Sequence, residues 1–280
     1  NRMPAPQASV MQNLAKMKFI SFATKLPTDW KQPQGEAGKQ YSRSFSPSEL
    51  VGIPPVPPMF VPSTVNKYHT DTAKKIGDQF ATYIDGICSA ICSAWSQWQS
   101  TAVMTGVMVN AVTATLGQVV GPPWLPLIMA SAPKSTPGEL KYSNAIANAI
   151  SNGWMAYQAT IKVPGLPWYP AFAAFPGPMA PPIPNVPCPV AALTQVETSI
   201  SKSALANAMA GLLGDPQALH HKQLFESVAE AFEQCFMIWK VSTMVTNVLG
   251  TGPIPTFAPP YVPVGPVVGG TGNMPPGGFV

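Results

Sequence analysis

Three long stretches of this chain, 86–133, 163–196 and 241–280, contain no charged residue. Charged side chains make up about a quarter of an ordinary domain and keep its surface wetted; here they are 10% of the residues, against 46% hydrophobic. A chain of this composition is too hydrophobic and too weakly charged for the usual kind of disorder. It also lacks the charged residues that a freely soluble monomer spreads over its exterior. Contiguous apolar surface beyond a few hundred Å² marks a contact site. The charge gaps therefore predict that lipid or other protein covers much of the molecule.

Lipid is the lesser expectation. A spanning helix needs about 20 predominantly apolar residues. The best window, 102–120, is interrupted by Thr105, Gly106, Asn110, Thr113, Thr115, Gly117 and Gln118, with Pro122 and Pro123 directly after it. No Lys or Arg flanks it to set an orientation. A membrane-associated or pore-forming protein built on 86–133 stands as the alternative reading. Nucleic acid is not an expected partner. The net charge is only +4, its excess sits in the first 50 residues, and Lys16, Lys18, Lys25, Lys31 and Lys39 are dispersed rather than clustered among aromatics.

Hydrophobic periodicity predicts four helical stretches. The longest carries Ile76, Phe80, Ile84, Ile87, Ile91, Trp95, Trp98 and Ala102 at steps of three and four, with Thr70 or Asp71 as a cap and Gly86 inside it. Pro137 follows Ser135 and Thr136 at a first helical position, and Leu140, Ala147, Ile150, Trp154, Tyr157 and Ile161 keep the period. A weaker helix opens with Leu193, Val196, Ile200 and Leu205 and stops near Gly211 or Gly214; a fourth starts at Asp215-Pro216 and runs through Leu224, Val228, Ala231, Cys235, Ile238, Ser242 and Val245. Periodicity leaves 103–120 open between helix and strand. The expected fold class is mainly α: an amphipathic helical bundle with long Pro/Gly-rich extended loops and arms. Its organisation would be an extended arm over 1–62, a helical domain over 63–250 and a Pro/Gly-rich tail over 251–280.

The most specific motif is internal. Gly121-Pro122-Pro123-Trp124-Leu125-Pro126 and Gly165-Leu166-Pro167-Trp168-Tyr169-Pro170 share Gly-x-Pro-Trp-x-Pro, and Gly252-Pro253-Ile254-Pro255-Thr256-Phe257 is a degenerate third copy. Each follows a helical segment that contains Trp (Trp98, Trp154, Trp239), which reads as helix plus rigid Pro-Trp exit loop used about three times. Proline holds such a loop extended, and Trp supplies a large apolar body with one donor that wants a partner. With the proline-dense run 175–189 and the tail, these loops are expected to act as straps on neighbouring subunits. Trp124 and Trp168 would be the anchors, Pro123 and Pro167 their rigid supports, Trp95 and Trp98 core or interface packing, and Phe257 the third-copy counterpart.

Catalytic motifs are missing. There is no Gly-x-Ser-x-Gly, His-Glu-x-x-His or phosphate loop, and Gly269-Gly270-Thr271-Gly272-Asn273 has no helix after it to hold a phosphate. Cys88 and Cys92, one helical turn apart, with Cys188, Cys235, His69, His220 and His221, do not make two ligand pairs at zinc spacing. Asp78, Asp85, Glu226, Glu230 and Glu233 read as solvated helix faces rather than paired acids. The chain is expected not to be an enzyme and to hold no cofactor or metal.

Trp-bearing helices, Gly-x-Pro-Trp-x-Pro straps and a charge-free Pro/Gly tail together resemble, in style, structural proteins of phage virions and phage-tail-like contractile particles. That resemblance implies an architectural subunit that contacts copies of itself and other subunits, located in a virion or particle. It carries over no functional residue.

Overall fold

The computed structural model describes residues 5–24 and 67–280; the proline-rich run 51–62, read as part of the arm, lies outside them. In chain order the helices are α1 (Ala8–Ser21), α2 (Lys67–Thr101), α3 (Trp124–Ser131), α4 (Pro137–Thr160), α5 (Lys202–Leu213) and α6 (His221–Ser242). The strands are β1 (Val103–Asn110), β2 (Thr113–Val120), β3 (Val163–Leu166), β4 (Phe175–Pro176), β5 (Met179–Pro184), β6 (Cys188–Pro189), β7 (Met244–Val245), β8 (Leu249–Pro253), β9 (Val264–Gly265) and β10 (Gly270–Met274).

The expectation of a mainly α bundle is overturned. A six-stranded antiparallel sheet of order β3-β2-β1-β10-β8-β5 stands beside the helices, and the fold is mixed α and β. The open segment 103–120 is a β-hairpin, consistent with its density of Val and Thr. Strands β3, β5, β8 and β10 come from text that reads as loop, strap and tail. Proline and glycine normally mark turns, yet here they occupy strands because the sheet's edges and its close-packed face accept them.

Helices α2, α4 and α6 overlap their predicted stripes, although α2 starts at Lys67, ahead of the Thr70 or Asp71 expected to cap it. In α2 the stripe from Ile84 through Ile87, Ile91, Trp95 and Trp98 is fully buried. Gly86 admits Pro133, whose Cγ lies 2.6 Å from where a Cβ would stand. Helix α4 starts as expected: Thr136 Oγ1 accepts from Glu139 N at 3.1 Å and Glu139 Oε2 accepts from Thr136 N at 3.0 Å, a reciprocal capping box before Pro137. Helix α5 starts only at Lys202, after short 3-10 turns, and ends on Gly214 with φ 63°. Helix α6 starts at His221 rather than at Asp215-Pro216, and stops at Ser242. Residues 8–21, inside the stretch read as extended arm, form α1.

Two cores result. The helical core is a cluster of indoles: Trp124 and Trp154 have ring centroids 4.4 Å apart, Trp98 and Trp154 4.9 Å, Trp95 and Trp154 5.1 Å, and Trp239 lies 5.6 Å from Trp95. The sheet core lies under glycines. Gly250 and Gly272 face inward on β8 and β10, and the Tyr169 ring rests on them, with its Cζ 2.5 Å from a would-be Cβ of Gly250. Tyr169 Oη donates to Val248 O at 2.9 Å, and Phe172 stacks on the ring at 5.0 Å. The last residues close the fold, since Val280 and Met244 exchange two backbone hydrogen bonds and Phe279 stacks on Trp98 at 5.5 Å.

Candidate assembly surface

Charge is segregated in this fold. None of the ten strands carries a charged residue, whereas the helical side holds the ion pairs. Lys16 pairs with Asp85 at 2.8 Å, Lys18 with Glu230 at 3.0 Å, Lys202 with Glu230 at 3.2 Å, Lys240 with Glu197 at 2.6 Å and Lys141 with Asp215 at 3.2 Å. Burial raises the Glu230 carboxyl, but hydrogen bonds from Lys18 and Lys202 outweigh it and hold the group below its ordinary value. Asp85, Glu226 and Glu230, read from sequence as solvated faces, thus join α1, α2, α5 and α6.

The sheet has one covered and one open face. Side chains alternate along a strand, but Met104 and Val107 on β1, and Ala114 and Val119 on β2, are all buried at odd spacings. Opposite each other on these strands, Gly106 (φ 70°) and Gly117 (φ 85°) slip the alternation by one residue, so both ends of the hairpin keep an apolar side inward. The outward face is then a row of Thr115, Met108, Thr271 and Thr251 across β2, β1, β10 and β8, flanked by Thr105, Gln118, Val120, Leu116 and Asn273. Met108 is 43% exposed and nothing described covers it.

Both edges are blunted. Strand β3 carries Pro164, and β5 carries Pro181, Pro182 and Pro184 with a register shift at the Pro-Pro step. Proline offers no ladder N–H, which blocks a further strand. At one end of the sheet, the connection between β8 and β10 projects Tyr261, 89% exposed, from a turn closed by Ala258 and Val262.

The residues expected as interface anchors are placed differently. Trp95, Trp98 and Trp124 meet in the helical core, and Trp124 and Trp168 are 1% and 2% exposed within their own chain. Trp168 packs apart from that cluster, beside Cys188. Pro123 and Pro167 are exposed at the surface, and Phe257 is half-buried in the β8–β10 connection. The two full motif copies share sequence but not conformation. The first opens α3, and its Gly121 is pressed against the Trp98 ring; the second ends β3, and its Gly165 has φ 102°. The run 175–189 forms β4, β5 and β6 on its own chain. Sequence reading missed Met108, Leu116, Val120, Met179 and Tyr261, which are among the exposed apolar residues of the sheet side; the charge gaps that contain them were the available signal.

Burial pushes the Cys92 thiol up to about 12 and the Cys235 thiol up to about 11, and it raises Cys88 as well; such thiols are poor nucleophiles at neutral pH. Among the described residues no group of three His, Cys, Asp or Glu side chains can hold a metal ion. Residues 86–133 form the end of α2, the β1–β2 hairpin and α3, and no described helix is long and apolar enough to cross a membrane. Comparison with protein-family models, with curated proteins and with solved structures finds no match to the chain.

Proposed function

We propose that this chain is an architectural subunit of a large protein particle, of the virion or contractile-injection kind, and that its partners are copies of itself and other subunits. One observation carries the reading: a six-stranded sheet without a single charged residue presents an open face of Thr, Met, Val, Leu, Gln and Asn. Two such faces pack without burying a charged side chain from any strand, with Lys162 at the border beside Thr105, Leu116 and Gln118. The prolines on β3 and β5 discourage growth along the sheet, which leaves association across its face. Six strands about 4.8 Å apart and on average six residues long give this face roughly 580 Å². A standard interface buries about 800 Å² per partner, so the face needs a second contact.

Charge placed on the face tests the proposal. The double substitution Met108→Lys and Thr271→Lys puts two cations side by side at outward positions and leaves the cores untouched. Sedimentation velocity is expected to show the large species reduced to single chains, with the wild-type circular dichroism spectrum retained. Unchanged assembly of this variant would refute the use of the sheet face.

A further inference from the structure

We infer that α1 is exchanged between subunits, so that the groove between α2 and α6 of one copy is filled by α1 of a second copy. This rests on the architectural reading above. The fit of groove to helix is plain from the docked helix. Met11, Ala15 and Phe19 are fully buried, and Phe19 stacks on Phe80 at 5.3 Å. Gln12 Nε2 donates to Ser89 Oγ at 2.8 Å, and the Cys92 thiol faces Met11 Sδ at 3.8 Å. Charges complement one another across the groove: Lys16 meets Asp85 on α2, and Lys18 meets Glu226 and Glu230 on α6.

All of this is side-chain chemistry. Among the described residues no backbone–backbone hydrogen bond joins α1 to the rest of the molecule. Covalent continuity runs through residues 25–66, a length of 42 residues. Fully extended, that length covers about 140 Å, whereas a compact body of this size has a radius of gyration of about 19 Å. The groove therefore makes identical contacts with α1 from its own chain or from a neighbour. Alone, a 14-residue helix whose N-cap Gln7 makes no side-chain capping bond is marginal in water, so α1 persists only where it is docked.

Area decides for the neighbour. The open sheet face falls short of a standard interface. Helix α1, about 21 Å long and 10 Å wide, adds roughly 200 Å² when it docks on another copy, which brings the pair within the usual range. Exchange achieves this without a contact that the fold does not already make.

The test uses the full chain. One variant carries Lys18→Cys and another Glu226→Cys; the two are co-expressed and treated with a short bifunctional maleimide, with the Lys18→Cys/Glu226→Cys chain as the intrachain control. A second pair, Lys16→Cys and Asp85→Cys, reads the α2 side of the groove independently. Exchange predicts covalent dimers from the mixed variants of both pairs. Assembled particles in which the control cross-links within one chain and the mixtures yield no dimer would overturn the exchange and leave the architectural reading standing. Failure of any particle to form would overturn both.

Discussion

Two buried glutamines decide which indoles of the helical core are satisfied. Trp98 Nε1 donates to Gln158 Oε1 at 2.9 Å and Trp239 Nε1 to Gln99 Oε1 at 3.0 Å. The indole N–H groups of Trp95, Trp124 and Trp154 are buried with no such acceptor, in rings packed against one another. Stranding a buried donor costs about 1–3 kcal/mol. Gln158→Leu, which removes Trp98's acceptor, is expected to lower stability by that amount in urea titrations. The glycines of β8 set a second test. An alanine Cβ at Gly250 would stand inside contact distance of the Tyr169 ring, and overpacking of this kind costs about 1–3 kcal/mol; Gly250→Ala is expected to lower the denaturation midpoint, whereas Thr271→Ala on the outward face of β10 is expected to leave it nearly unchanged. Neither role was legible beforehand, because a Gly-x-Gly pattern reads as a turn until the ring that lies on it is known.

Among the elements, the helices were legible and most of the sheet was not. A 3.6-residue period is a local signal, and α2, α4 and α6 lie close to where their stripes put them. Thr136→Ala should remove the hydrogen bond to Glu139 N and cost about 1 kcal/mol of stability. Strands β5, β8 and β10 have no alternating pattern to read, and the β1–β2 hairpin loses its alternation at Gly106 and Gly117. Their partners are also remote in sequence, as in Val109 of β1 with Gly270 of β10. The docking of α1 carries a pH signature. Glu230 titrates below its ordinary 4.5 and Lys18 above its ordinary 10.5, through their mutual hydrogen bond. The depressed carboxyl contributes stability that is present above pH 4.5 and fades as pH falls through its folded value; the raised ammonium contributes below pH 10.5 and fades as pH rises through its own. The stability difference between wild type and Lys18→Met should therefore be constant across neutral pH and shrink at both extremes. A difference that stays constant into acid would contradict the pairing of Lys18 with the α6 carboxylates.

At the scale of the whole molecule, the scarcity of charge stays visible in the fold, because none of the strands carries a charged residue. The sequence reading placed a need for cover in the charge gaps, and the open sheet face arises from those gaps. It assigned the contact to Trp124 and Trp168, however, and both turn inward. A Trp in a proline-rich loop suits a surface anchor and a core plug equally, and only the spatial arrangement of α2, α3, α4 and α6 shows that Trp124 completes an indole cluster. The proline runs likewise read as straps thrown over neighbours, whereas β5 uses them to close a sheet edge on its own chain. What remains is a molecule whose strands carry no charge and whose ion pairs, among the described residues, join helices and the turns beside them. Native mass measurement of the purified wild-type chain tests this account most directly: it predicts a species of several 29.6 kDa chains, and a stable single chain at micromolar concentration would contradict it.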